Sequence, residues 1–151
     1  MKIYKYDIVF QEVPNEISLA FYVCGCPLRC KGCHSTELWS ERNGTSLSIN
    51  FYQELLNRYQ DKATCILFLG GEWHPDTLQL YLQIAKGQSF KTALYTGLDD
   101  ITQNIRAQLD YLKLSPWIAE MGGLSSPTTN QVFWDLRTGK KLNHLFLNQH
   151  E

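Results

Sequence analysis

The stretch ISLAFYVCGCPLRCKGCH at residues 17–34 decides how the chain is organised. Six of its first seven residues are apolar, β-branched or aromatic, which favours a strand buried on both faces, as in a parallel sheet. The next eleven residues contain four of the five cysteines of the chain. Thiolates packed this closely repel one another unless a cation neutralises them. The stretch therefore predicts a metal-binding loop at the carboxyl end of a buried strand.

Length and composition limit the classes of protein that fit this chain. Its 151 residues, 44% of them hydrophobic, predict one globular domain with a buried core. A net charge of −1 excludes the overall basic field of many nucleic-acid-binding proteins, so no direct nucleic-acid contact is expected. Charges interrupt residues 1–16, and no apolar run approaches the roughly 18 residues of a membrane span. We therefore expect a cytoplasmic protein with no membrane partner, and the clustered, odd number of cysteines agrees with that compartment.

Apolar strands alternate with amphipathic helices through the middle of the chain. Buried strands are predicted at residues 17–23, 64–71, 91–97 and 110–115. Helices are predicted at residues 49–60, from Asp76 to Gly87, and from Asp99 or Asp100 onward. The apolar faces of the first two helices are predicted to contain Phe51, Leu55, Leu56 and Tyr59, and Leu78, Tyr81, Leu82 and Ala85. This alternation predicts an α/β fold with parallel strands and right-handed crossovers.

Two further segments flank this series. Residues 3–11 alternate loosely between apolar and polar side chains, which predicts a strand at the edge of the sheet. Residues 132–146 predict an edge strand or a hairpin that turns at Thr138 and Gly139. Ser48 is predicted to cap the helix that follows it. No linker, repeat or low-complexity tract separates these elements, so the prediction is a single domain over residues 1–151.

Three loops with unusual residues follow three of the predicted parallel strands. The cysteines follow the first strand, Gly70-Gly71-Glu72 ends the second, and Tyr95-Thr96-Gly97 ends the third. In parallel α/β folds the ligands bind where the loops at the carboxyl ends of the strands converge. The order of the chain therefore predicts one site at one edge of the sheet.

The spacing of the cysteines discriminates between kinds of metal site. Cys26, Cys30 and Cys33 form a C-x3-C-x2-C pattern. A closed zinc site, completed by Cys24 or His34, usually takes its ligands from two separate knuckles, and the only distant cysteine, Cys65, lies in a predicted buried strand. Ordinary 4Fe–4S clusters use four cysteines, so three would leave one iron open to another ligand. The pattern favours an iron–sulfur cluster that takes part in chemistry, with zinc as the alternative.

This motif, placed after the first strand of a βα series, resembles the cluster motif of the radical S-adenosylmethionine (SAM) superfamily. The resemblance implies an incomplete βα barrel with parallel strands, a 4Fe–4S cluster held by the three cysteines, and SAM bound at the open iron. It also implies SAM contacts from Gly32, Cys33 and His34. Gly32 stands where many members have an aromatic residue.

The remaining site residues also come from this resemblance. Gly70, Gly71 and Glu72 match the GGE element of the superfamily, which binds the SAM amino group, although Trp73 here precedes His74-Pro75 where many relatives have proline. Thr96 and Asp110 are further candidates for SAM binding. Lys113 is three residues after Asp110, a spacing that places the two side chains on opposite faces of a regular strand.

A finer resemblance covers most of the chain. Residues 25–39, the GGE element, residues 94–97 and the run 110–131 are similar to the activating proteins of anaerobic ribonucleotide reductases, which also accept glycine before the third cluster cysteine. The resemblance implies that the protein generates a glycyl radical on the large reductase subunit, with electrons from a flavodoxin-like donor. The alternatives are another radical SAM enzyme, either a different activase or a small-molecule modifier, and a zinc or iron–sulfur adaptor without catalysis.

Overall fold

The computed structural model describes residues 1–30 and 36–147. In these residues the strands are β1 (Lys2–Val9), β2 (Ser18–Val23), β3 (Thr45–Ser46), β4 (Cys65–Leu69), β5 (Lys91–Tyr95), β6 (Tyr111–Leu114), β7 (Val132–Asp135) and β8 (Lys140–Lys141). The α-helices are α1 (Ile49–Arg58), α2 (Pro75–Gly87) and α3 (Gln103–Arg106). Short 3₁₀ helices lie at Thr36–Leu38, Glu41–Asn43 and Asn143–Phe146.

The strands form one mixed sheet in the order β3-β1-β2-β4-β5-β6-β7-β8. Its centre, β2-β4-β5-β6, is parallel, which confirms the four predicted strands and their direction. The flanking strands are antiparallel, and β7 and β8 form the predicted hairpin. Strand β1 is not at the edge, because the short β3 pairs with its outer side. Within the described residues the sheet does not close into a barrel.

The helices cover one face of the sheet with a large apolar core. Phe21 and Phe68 from neighbouring strands stack at 5.3 Å, and Tyr52 of α1 packs against both. The predicted face of α2 is confirmed, since Leu78, Tyr81, Leu82 and Ala85 are all buried. The face predicted for α1 was wrong by one position. Tyr52, rather than Phe51, is buried with Leu55 and Leu56, in the i, i+3, i+4 pattern of one helix face.

The helix starts also differ from the sequence predictions in two cases. Ser48 caps α1 as predicted, because its side chain accepts a hydrogen bond from the Phe51 N–H at 3.2 Å. Helix α2 begins one residue before Asp76, since Pro75 fits the first helical position, where a missing N–H costs nothing. Helix α3 begins at Gln103 rather than after Asp99 or Asp100, and the Asp100 carboxylate pairs with Arg106 at 2.8 Å.

The opposite face of the sheet is covered by the C-terminal segment and a smaller core. Phe133 and Phe146, with ring centroids 5.2 Å apart, pack with the small side chains of Ala20 and Ala93. At the amino end of the strands, the Tyr111 hydroxyl donates to Glu16 Oε2 and accepts from Arg137 Nη2, both at 2.8 Å. This end of the sheet is therefore closed by polar contacts, and the carboxyl end is left for the loops.

No helix in the described part of the chain combines the length and the apolar character that crossing a bilayer requires.

Tyr81→Phe is expected to lower the free energy of unfolding by about 1 kcal/mol, the usual net contribution of one buried hydrogen bond. The Tyr81 hydroxyl donates to the Leu47 carbonyl at 2.5 Å and so ties α2 to the chain that precedes α1. Urea denaturation measures the change, with Tyr4→Phe on the exposed side of β1 as the control. Equal losses in the two variants would contradict this account.

Candidate functional site

A cleft lies at the carboxyl ends of the four parallel strands. Its lining comes from the ends of β2, β4, β5 and β6 and the loops that follow them, and includes Cys26, Cys30, Gly70, Glu72, Thr96 and Lys113. The structure thus brings together the three loops that the order of the chain placed at one edge. Trp39, Trp73, Trp117 and Tyr95 give the cleft aromatic walls. These walls were not predicted, because the three tryptophans lie in separate segments of the chain and no local pattern links them.

The cysteine loop, defined here as residues 24–38, is closed at its neck by the backbone. The N–H groups of Gly25 and Cys26 both donate to the Leu38 carbonyl, at 2.7 and 3.1 Å. Leu28 packs so closely against Gly97 that a Cβ atom there would overlap its side chain. The loop is therefore anchored both at its neck and against the loop that follows β5.

Two of the three predicted cluster ligands lie in the cleft, half-buried and without a disulfide. The third, Cys33, lies outside the described residues, as do Gly32 and His34. Within the described residues, no three cysteine, histidine or acidic side chains are grouped to hold a metal ion. The described part of the loop therefore supplies two sulfur donors.

Burial raises the pKa of the Cys26 thiol, while hydrogen bonds from the backbone N–H groups of Leu28 and Arg29 lower it. Those N–H groups point at sulfur, an arrangement that suits a thiolate with its charge shared by a metal. Two backbone donors therefore offset part of the effect of burial on this sulfur.

The other two cysteines do not line the cleft. Cys24 is buried, and its Sγ faces Gly44, where a Cβ atom would come within 2.8 Å of it. Cys65 lies inside β4, and burial raises the pKa of its thiol to about 12. Both side chains belong to the packed interior.

Glu72 has one satisfied and one unsatisfied carboxylate oxygen. Oε1 accepts a hydrogen bond from Thr96 Oγ1 at 2.5 Å. Oε2 is buried and accepts no hydrogen bond from any described residue. Burial raises the pKa of this carboxyl, whereas the Thr96 hydroxyl, the backbone N–H of Glu72 itself and the charge of Lys113 lower it. A buried acceptor without a donor is costly, so this oxygen is placed to accept a hydrogen bond from a ligand.

Asp110 and Lys113 are separated by the strand that bears them. Asp110 precedes β6 at its amino end, where its carboxylate accepts from the Thr92 N–H at 2.9 Å and pairs with Lys86 at 3.6 Å. Lys113 lines the cleft, and its Nζ donates to the carbonyls of Ser115 and Thr96 at 2.9 and 3.2 Å. The structure therefore brings Lys113, and not the predicted Asp110, to Glu72 and Thr96.

Glu72→Gln is expected to stabilise the ligand-free protein at neutral pH. A raised folded-state pKa means that folding disfavours the charged carboxylate, so the penalty exists above that pKa and disappears as the pH falls below the ordinary value for glutamate. Thermal unfolding across pH measures the effect. The variant should melt higher than the parent near pH 7 and equally at low pH, and a constant difference at every pH would contradict the assignment.

A protein-family model described as a 4Fe-4S single cluster domain matches residues 17–114. The matched region extends from the residue before β2 to the end of β6, and so includes the cysteine loop and all four parallel strands. No curated protein and no solved structure matches the chain significantly.

Proposed function

Because the chain belongs to the family of 4Fe-4S single cluster domains, we propose that it is a radical SAM activase that generates a glycyl radical on an anaerobic ribonucleotide reductase. One observation carries the proposal. Glu72 lines the same cleft as Cys26 and Cys30, and its buried Oε2 has no donor among the described residues, so an acceptor for an ammonium group belongs to a residue of the cleft that holds the sulfur donors.

The residues of the cleft fit both cofactors. Cys26 and Cys30, together with Cys33, would supply three thiolates to the cluster, one fewer than an ordinary 4Fe–4S site, which leaves an iron for SAM. Glu72 Oε2 would accept a hydrogen bond from the SAM amino group, and a charge-assisted bond of this kind is stronger than a neutral one. When bound, the cluster and SAM supply one-electron cleavage of a sulfonium and abstraction of a hydrogen atom.

The surrounding residues hold Glu72 in place and give the cleft apolar walls. The Thr96 hydroxyl binds Oε1, which leaves Oε2 as the oxygen available to the ligand. Lys113 is fixed by two carbonyl groups, and its positive charge favours the ionised form of Glu72. The aromatic walls of Trp73 and Tyr95 make the cleft apolar beside these charges, which strengthens electrostatic contacts inside it.

The choice of a protein substrate is supported by resemblance and by shape. Residues 25–39 and 110–131 are similar to activators of anaerobic ribonucleotide reductases, and the described strands form an open sheet. An open sheet gives a polypeptide loop access to the cleft, whereas a small-molecule enzyme needs a more enclosed pocket. A flavodoxin-like protein is the proposed electron donor.

The decisive experiment is anaerobic reconstitution with iron and sulfide, followed by reduction with dithionite in the presence of SAM. Formation of methionine and 5′-deoxyadenosine is expected, and their absence would overturn the enzymatic proposal. Adding the anaerobic reductase of the same organism should then give the electron paramagnetic resonance doublet of a glycyl radical.

Two other results would select the alternatives. SAM cleavage without a radical on the reductase would favour a different radical SAM enzyme. A stable four-ligand zinc site, formed with zinc alone and with no cleavage of SAM, would favour a non-catalytic adaptor.

A further inference from the structure

The indole of Trp73 connects the cysteine loop to the loop at residues 70–72. Its Nε1 donates to the backbone carbonyl of Cys24 at 3.2 Å. Cys24 is the residue before Gly25 and Cys26, whose N–H groups donate to the Leu38 carbonyl and close the neck of the cysteine loop. The contact therefore joins the neck of one loop to the residue that follows Glu72 in the other.

Glycines in both loops make room for this ring. A Cβ atom at Gly70 would come within 2.6 Å of Trp73 Cη2, and one at Gly25 would come within 3.3 Å of Nε1. Both glycines have φ near +90°, a conformation that other residues rarely adopt. The backbone of each loop is thus shaped to let the indole pack between them.

The next residue adds a second connection on the far side of the cysteine loop. His74 Nε2 lies 3.2 Å from Glu41 Oε1, in the 3₁₀ helix that follows the loop. Both side chains are partly exposed, so this contact is weak. The His74 N–H donates to the Gly71 carbonyl at 2.9 Å, which fixes the turn that carries Trp73.

We propose that Trp73 is a positioning residue that fixes the neck of the cysteine loop against the loop at residues 70–72, and so sets the separation between Cys26 and Glu72. The tethering itself follows from the contacts of this chain. Its consequence for SAM rests on the proposed function. Proline cannot replace this residue, because a pyrrolidine ring has no N–H to reach the Cys24 carbonyl.

Trp73→Phe tests the proposal, since phenylalanine keeps an aromatic ring and removes only the N–H donor and part of the packing. In the reconstituted protein without SAM, hydrogen exchange at the Gly25 and Cys26 amides is expected to accelerate about three- to tenfold, the factor that one lost hydrogen bond would give. Trp134→Phe, the same substitution on β7 and away from the cleft, is the matched control and should leave those two rates unchanged.

The second measurement is SAM affinity, followed through the change that SAM produces in the electron paramagnetic resonance spectrum of the reduced cluster. Trp73→Phe should weaken SAM binding several-fold, whereas Trp134→Phe should leave the affinity unchanged, and a merely structural role for Trp73 would not separate the two variants. Unchanged exchange at Gly25 and Cys26 in Trp73→Phe would overturn the proposal. If SAM does not alter the spectrum of the parent protein, the proposed function fails, while the exchange rates still decide the role of Trp73.

Discussion

Alanine at Cys26 or at Cys30 is expected to leave the protein without a 4Fe–4S cluster and to reduce SAM cleavage to background. The proposed site has three cysteine ligands where an ordinary cluster has four, so removal of one would leave two thiolates for four iron atoms. Both side chains line the cleft, and the same result is expected for Cys33. Iron and sulfide content, together with methionine release, measure the loss.

Cys24→Ala and Cys65→Ala are the matched controls for these substitutions. Both remove a sulfur atom that is buried outside the cleft, so cluster content and most of the SAM cleavage should remain. A Cys24→Ala protein that folds but cannot assemble a cluster would contradict the assignment of the ligands. It would also favour the alternative of a closed zinc site in which Cys24 is the fourth ligand.

Glu72→Ala is expected to weaken SAM binding about 10- to 100-fold and to leave the cluster intact. The estimate is the contribution of a hydrogen bond to a charged group, about 1.5–3 kcal/mol. Oε2 is buried in the ligand-free protein without a donor among the described residues, so SAM would supply the missing partner. Spectroscopic titration of the reduced cluster with SAM measures the affinity.

Glu54→Ala, at an exposed position of α1, controls for the loss of a negative charge and should leave SAM affinity unchanged. Glu72→Gln should also weaken binding, because it removes the charge, although it stabilises the ligand-free protein. Opposite effects on stability and affinity at one residue would identify a group kept for binding. Unchanged affinity in Glu72→Ala would remove Glu72 from the site.

The parallel centre of the fold was predictable because its signals are local. Runs such as residues 65–69 are continuously apolar, and the buried face of α2 has an unbroken helical period. The prediction of the buried face of α1 was wrong at one position, because Phe51 and Tyr52 are adjacent and both aromatic. Hydropathy favoured phenylalanine, whereas the structure buries tyrosine and satisfies its hydroxyl with the Tyr81 carbonyl at 2.7 Å.

The features of the site that follow from the order of the strands could be predicted from the sequence. The features that follow from contacts between loops could not. Placing the cysteines, Gly70–Glu72 and Thr96 at one edge required only the direction of the strands. The contact of Trp73 with the Cys24 carbonyl joins residues 49 positions apart, and no local pattern indicates it. Asp110 precedes β6 at its amino end, whereas Lys113 lies near the carboxyl end of the strand, so the direction of the strand brings only Lys113 to the cleft.

The two apolar clusters of the core contain none of residues 25–30, and the neck of the cysteine loop is closed by backbone hydrogen bonds. Zinc fingers, by contrast, unfold when their metal is removed, because metal binding supplies most of their folding free energy. In an enzyme of the proposed kind, loss of the cluster to oxygen would therefore leave the polypeptide folded and able to bind a new cluster. The folded polypeptide would outlast its cluster, and the cell would restore activity with new iron and sulfide and without a new round of synthesis.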